Sequence, residues 1–265
     1  VSIDPTTGAT AMFSIPRNYA RAPLPEGIGI WECNCFPQLL NDLYWVGGNH
    51  PDAFPGPGIP QVNAIKAAMT ELLGIEIHYY MLVTLDGFVG IVDALGGVEM
   101  TIPITIIDEE YPHEDGVTIE YMEIPAGTQV LDGHEALAYA RMRRNANDYA
   151  RMNRQRCVLE AVLEQSSPAE LALKYTQIIG AVQDALDTDV PTSRLDDFVD
   201  LLEVIDTESI LTMRVLPDPY FLEADAFGQN VYNAELIREH AQLILSSPET
   251  AAQQLGLSSL DATCE

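Results

Sequence analysis

Six arginines fall within sixteen positions of the run ALAYARMRRNANDYARMNRQRCVLEAV: Arg141, Arg143, Arg144, Arg151, Arg154 and Arg156. The chain has only 13 basic residues in all. Guanidinium groups grip phosphate oxygens in pairs, keep their charge at any pH and desolvate more cheaply than ammonium groups. Such a set suits a compact ligand with two or three negative charges, a pyrophosphate above all. Arg141 and Arg143, two apart at the end of a short helix, point to one side if the chain is extended there. Downstream, Asp148, Arg151 and Gln155 share one face of a helix, while Met152, Leu159 and Leu163 make its core stripe. Asp148, the one acid in this segment, either holds an arginine in place or helps bind a metal ion that bridges phosphate oxygens. Arg144, Arg154 and Arg156 have weaker claims, and Arg156, beside the core stripe, is expected to pair with an acid. Ordinary salt bridges in a protein with 40 carboxylates are the competing reading. That reading suits any one arginine better than all six.

The rest of the chain is strongly acidic. The formal net charge is −27, and residues 1–140 carry 3 basic against 19 acidic groups. Polyanions are repelled by such a field, so nucleic acid is not an expected partner. Other chemistry is poorly represented. There is no G-x-S-x-G, no H-E-x-x-H, no Walker loop and no dinucleotide fingerprint. His50, His78, His113, His134 and His240 are scattered and read as structural or surface residues. The four cysteines lack zinc-site spacing, so a structural zinc is not expected. Cys33 and Cys35 stand too close for an easy mutual bridge, which leaves a longer-range disulfide in an oxidising compartment, or free thiols.

The elements that must position the arginines can be read from periodicity. VSIDP, the turn TTGAT and AMFSIP form a hairpin that delivers Arg17 to a strand end. Residues 20–60 are a long Pro- and Gly-rich loop with one short helix in FPQLLNDLYWVGG. A helix runs from Gln61 to Leu73 and stops on Gly74, followed by the strand IHYYMLVT. A second helix over 85–95 stops on Gly96 before the strand VEMTIPIT, suggesting a right-handed crossover in an α/β layer structure. Residues 108–127 read as acidic and irregular. Asp132 and Glu135 resemble a capping box before the helix HEALAYA. Further helices are expected over 147–165, 168–186, 194–205 and 233–246, with a strand at ILTMRVLP between the last two and a loose tail over 248–265. No run of about 18 uncharged apolar residues exists; the densest stretch, 78–97, is broken by Asp86 and Asp93.

SIPRN at 14–18, LDGFVGIVDALGGVEM at 85–100 and LDGHEALAYARMRRNANDYARMNRQRCVL at 131–159 together resemble the LytR-CpsA-Psr family, in order and in spacing. The resemblance covers roughly residues 1–247. It implies one three-layer α/β/α domain with a mixed central sheet, and a long apolar pocket for a polyprenyl chain with arginines at its mouth. It also implies a membrane-anchored enzyme at the extracytoplasmic face of a bacterial membrane. Such an enzyme moves a glycopolymer phosphate from a polyprenyl pyrophosphate carrier to a peptidoglycan hydroxyl, with Mg2+. Carried over by motif, Arg17 matches the arginine of SIPR, Arg141 and Arg143 the pair in A-R-x-R, and Arg151 and Gln155 the ends of R-x-x-R-Q. Arg154 is the inner arginine of that last motif. Asn18 stands where the family commonly has Asp. The family's R-x-D-T motif, with the acid expected to bind magnesium, would lie upstream of Val1, as would the anchor.

Arg17, Arg141 and Arg143 are thus the expected charge-neutralising groups, and Asp148 the candidate base. Arg17, Arg141, Arg143, Arg151, Arg154 and Gln155 are the expected pyrophosphate ligands. Two other activities fit the same residues: hydrolysis of a polyprenyl pyrophosphate by water, and non-catalytic or regulatory binding of lipid-linked glycans.

Overall fold

The computed structural model describes residues 1–113, 115–142, 148–165, 185–205 and 210–257. The chain separates into two compact units, each built around one of two hydrophobic clusters.

The first unit holds residues 1–80, 188–191 and 210–257. The opening hairpin forms as its sequence requires: β1 (Ser2–Ile3) pairs antiparallel with β2 (Thr10–Ser14). Asp4 accepts from the backbone of Thr6 and Thr7 to close the turn. The helix in the Pro- and Gly-rich stretch is α1 (Leu40–Asn49), and α2 (Pro60–Leu73) follows with proline at its first turn. Gly74, at φ 69°, takes the left-handed conformation that ends α2. Ala64, Ala68, Leu72 and Leu73 are the buried face of α2 and pack in the first cluster with Leu40, Leu43 and Ile237. The last carbonyls of α2 find donors on a later helix: Gln242 Nε2 donates to Leu73 O and Gly74 O. Arg238 pairs with Glu71 at 2.6 Å from the same helix.

The second unit comprises the described residues of 81–187 and 192–205. The expected strand IHYYMLVT contracts to β3 (Met81–Val83), which pairs with β8 (Leu186–Thr188). Thr84 caps α3 (Leu85–Leu95) by accepting from Gly87 N, and Gly96 ends it at φ 95°. β4 (Val98–Ile102) pairs antiparallel with β7 (Gly127–Leu131), burying Val98, Met100 and Ile102 on one side. Among the described residues β3 and β4 belong to different ladders, so the expected crossover does not join them in one sheet there.

The acidic stretch 108–127 is not irregular. It is mostly a hairpin of β5 (Ile106–Pro112) and β6 (Ile119–Ile124). Ile106, Tyr111, Met122 and Ile124 face inward while Glu109, Glu110 and Glu123 are exposed, and an irregularity between Asp108 and Tyr111 breaks the alternation that would have revealed the strand. Asp132 caps α4 (Gly133–Arg141) with the full reciprocal box to Glu135. Gly133 sits where a Cβ would meet Val89 O at 2.3 Å, so glycine is what lets α4 approach α3. α5 (Asp148–Gln165) packs on α4, and α6 (Leu195–Val204) follows. The helix expected over 168–186 lies almost wholly outside the described residues.

Back in the first unit, β9 (Leu211–Arg214) joins β2 in parallel register, Ser14 opposite Arg214, giving a mixed sheet ordered β1-β2-β9. β10 (Phe221–Ala224) and β11 (Asn230–Tyr232) make a short hairpin before α7 (Ala234–Ser246), which Asn233 caps. The supposed tail begins with another helix, α8 (Pro248–Leu255), packed on α7 with Ala251 fully buried.

Cys33 and Cys35 form a disulfide. The chain bends between them until the Cα atoms are 5.1 Å apart, an ordinary bridging distance, so the expectation that they stand too close for an easy mutual bridge is wrong. Cys157, buried on α5, is also disulfide-bonded.

Candidate functional site

Arg17 lies three residues beyond the carboxyl end of β2, where an open α/β sheet presents its loops. Its main chain is fixed: Asn41 N donates to Arg17 O at 3.0 Å and Leu40 N to Tyr19 O at 2.8 Å. Loop 17–20 thus supplies acceptors to the first turn of α1, the positive end of that helix dipole. Ala20 N donates to Asn230 O, and Tyr19 and Ala20 are buried. The Arg17 side chain is exposed on this anchored loop. Arg214, in register with Ser14 at the end of β9, adds a second guanidinium-bearing residue to the same strand edge. It lies outside every motif quoted above, and only the parallel pairing of β2 with β9 reveals it.

Arg141, Arg151, Arg154 and Gln155 belong to the second unit. Arg141 is the last residue of α4; its Nη1 donates to the Tyr111 hydroxyl at 3.0 Å and its guanidinium carbon lies 5.3 Å from the Tyr111 ring centre. Arg154 is buried and reaches across from α5: Nε donates to Tyr139 O at 2.8 Å and Nη2 to Met142 O. Gln155 Nε2 donates to Ala140 O at 3.3 Å. A helix leaves its last carbonyls without partners, and a cation there also complements the dipole. Arg154 and Gln155 thus secure the end of α4 that carries Arg141. Burial pushes the Arg154 guanidinium below its usual range, opposed by the neighbouring Tyr139 hydroxyl. In this arrangement Arg154 serves as a positioning residue.

Arg151 is buried, at 6% exposure. Arg156 pairs with Glu160 at 2.5 Å with both side chains 3% exposed, the acid partnership its sequence position called for. These buried charges shift the phase of α5. Leu159, read as core, is 47% exposed, and Cys157, Val158 and Ala161 take the apolar side. Arg143 lies outside the described residues, and of Asp148 only the backbone, at the start of α5, is described.

Magnesium asks for one or two carboxylates together with phosphate oxygens and water. Beside Arg17 the described residues offer Asn18 Oδ1, buried and without a hydrogen-bond partner among them, but no acidic cluster. One neutral oxygen does not make a magnesium site.

A cavity of about 990 Å³ in the first unit is lined in part by Ile3, Thr10, Ala11, Leu211 and Ile244. It lies at the amino ends of β2 and β9, opposite the strand end that leads to Arg17.

The LytR_cpsA_psr family pattern matches residues 1–240, and the chain belongs to that family. It is 35% identical over 192 residues to the polyisoprenyl-teichoic acid–peptidoglycan teichoic acid transferase TagU of Halalkalibacterium halodurans, covering 72% of this chain and 53% of that protein. It is 30% identical over 201 residues to biofilm regulatory protein A of Streptococcus mutans, covering 73% and 44%. The chain therefore spans about half the length of these relatives. The crystal structure of Bacillus subtilis TagV shares the fold with a TM-score of 0.65 at 22% identity, covering 91% of this chain and 85% of that one.

Proposed function

We propose that this chain is the transferase domain of a wall-assembly enzyme. It would move a glycopolymer phosphate from a polyprenyl pyrophosphate carrier to a hydroxyl of peptidoglycan. The observation that carries the reading is the construction around Arg141. A guanidinium is held at a helix end by Tyr111, and that helix end is itself secured by Arg154 and Gln155. All of these but Tyr111 lie in the block shared with the family. The name borne by TagU supplies the substrate class.

In the reaction, the acceptor hydroxyl oxygen attacks the phosphorus that bears the glycan, and the bond from that phosphorus to the bridging oxygen breaks. Polyprenyl phosphate leaves with that electron pair. The carrier is already activated, so the protein's work is to hold the diphosphate in line and offset the charge that builds on the bridge. Arg17, Arg141, Arg143 and Arg151 are assigned to this, with Asp148 as the base that takes the hydroxyl proton. A lipid pocket beside the arginines and an anchor placing the domain outside the membrane belong to the same proposal. Paired cysteines at Cys33, Cys35 and Cys157 support an oxidising compartment. No helix among the described residues is long and apolar enough to cross a membrane.

The test is a labelled polyprenyl-pyrophosphate glycan incubated with the protein, with and without peptidoglycan. Label appearing in the wall only when acceptor is present supports transfer. Phosphate release indifferent to acceptor would establish the hydrolase instead, and binding without turnover the regulatory binder.

A further inference from the structure

The β5–β6 hairpin and the start of α4 bring together three side chains that the sequence holds far apart. His113 directly follows β5, Glu120 is the second residue of β6, and His134 is the second residue of α4. Tyr111 is the cross-strand partner of Glu120, and His113 lies two residues further along, so all three share one side of the hairpin. His134 Nε2 lies 2.7 Å from Glu120 Oε1, and the two imidazole rings are 4.9 Å apart, centre to centre. One ligating atom from each of the three residues falls within 4.8 Å of the others, and all three are half-buried.

We propose that His113, Glu120 and His134 form a binding site for a zinc-class divalent metal ion, separate from the arginines that handle phosphate. Two imidazoles and one carboxylate are the donors that zinc and cobalt take, whereas magnesium and calcium want oxygen alone. Three protein ligands leave a fourth position open to water or an anion. Metal–ligand bonds of about 2.0–2.1 Å place tetrahedral ligand atoms roughly 3.3 Å apart. The His134–Glu120 contact would therefore open by about 0.6 Å as the ion replaces the hydrogen bond. That is a side-chain adjustment.

The scaffold is fixed where the ligands attach. His113 N donates to Thr118 O, and Asp115 accepts from Val117 N, Thr118 N and the Thr118 hydroxyl, closing the turn. Asp115 also sets a carboxylate 3.9 Å from His113 Nδ1. The surrounding field favours cations: Asp108, Glu109, Glu110 and Glu123 lie on the same hairpin of a chain with net charge −27.

The ion would tie the hairpin to α4 at one end of a helix whose other end is Arg141. His134 and Arg141 are seven residues apart, close to two full turns and so on the same side of α4. Tyr111 spans them, its ring centre 5.9 Å from that of His134 and its hydroxyl bonded to Arg141.

The experiment uses the chelator-treated protein, ZnCl2 followed by calorimetry, and CoCl2 followed by visible absorption, each with and without excess MgCl2. One equivalent of zinc should bind, cobalt should give the intense bands of a four-coordinate site, and magnesium should displace neither. His113→Ala, His134→Ala and Glu120→Gln should each weaken zinc binding at least tenfold, while His78→Ala should not. Zinc should also raise the unfolding temperature of the parent but not of Glu120→Gln, a variant of unchanged shape whose folding is checked by circular dichroism. Failure to bind one equivalent, or an equivalent that survives in Glu120→Gln and in the double histidine variant, would overturn the proposal. None of these readouts involves glycopolymer transfer, so the site stands or falls apart from the transferase reading.

Discussion

Replacing Arg154 with methionine keeps the stem of the side chain and removes both donors to α4. Tyr139 O and Met142 O then lose their bonds from Arg154 while remaining next to a buried segment. A buried acceptor deprived of its partner costs about 1–3 kcal/mol, and removing a cation from a helix C-terminus costs about 0.3–1 kcal/mol more. Taking the lower part of the first range for each carbonyl, the loss is about 3 kcal/mol. With a urea dependence of roughly 3 kcal/mol per molar, the unfolding midpoint should fall by about 1 M. The change should be local in origin. Amide exchange at Met142, whose N–H bonds to Ala138 O, should accelerate at urea concentrations where α2 is unaffected. Arg154→Lys should recover only part of the loss, because one ammonium cannot reproduce the fork that reaches two carbonyls. A midpoint within about 0.3 M of the parent, or unchanged exchange at the end of α4, would refute the role assigned to Arg154.

Removing the carboxylate in Glu160→Ala takes the ion pair from the buried Arg156 guanidinium and should cost about 3 kcal/mol, while the double change to methionine at both positions should recover most of it in the same urea titration. Gly133→Ala would drive a Cβ into Val89 O, so α3 and α4 must separate; a loss of about 1–3 kcal/mol, read as a lower thermal midpoint, is expected. Hydrogen bonds from the Thr118 hydroxyl first, then from the Thr118 and Val117 amides, hold the Asp115 carboxyl down at about 2. Because the folded value lies below the ordinary 3.8, the turn's contribution is complete above that pH and fades as pH falls toward 2. Carboxyl chemical shifts followed through acid titration should show Asp115 as one of the last acids to protonate, with the hairpin amides losing protection in the same window.

What could be read from the sequence was what is decided locally. Asp132 with Glu135, Gly74 and Gly96 bound their helices through bonds within a few residues, and α2, α3 and α4 appear where those signals put them. The signals for α8 were present too, with Pro248 at its start and Gly256 at φ 61° after its end, but its eight residues bury only Ala251 and so show no run of large apolar side chains. The β5–β6 hairpin was missed because its acids outnumber its inward residues and its register is broken. On α5, a stripe assigned by hydrophobicity put Leu159 inside, whereas the fold buries Arg151, Arg154 and Arg156, with Arg154 bonded to the end of α4. The arginine motifs were legible as a cluster of guanidinium groups. Their division of labour was not, since whether a guanidinium meets solvent or a helix-end carbonyl depends on packing. His113 and His134, 21 residues apart, meet only through the fold.

The claim on which the functional account rests is that Arg141, held at the end of α4 by the Tyr111 hydroxyl, grips a diphosphate. A double-mutant cycle within that unit measures it directly: the affinity of the parent, Arg141→Ala, Tyr111→Phe and the double variant for a short-chain polyprenyl pyrophosphate, determined by calorimetry at fixed salt. The account predicts that Arg141→Ala weakens binding at least tenfold, that Tyr111→Phe weakens it less, and that Tyr111→Phe adds nothing once Arg141 is gone, the signature of a hydroxyl that acts through the guanidinium. An Arg141→Ala variant that binds the pyrophosphate as tightly as the parent would contradict it.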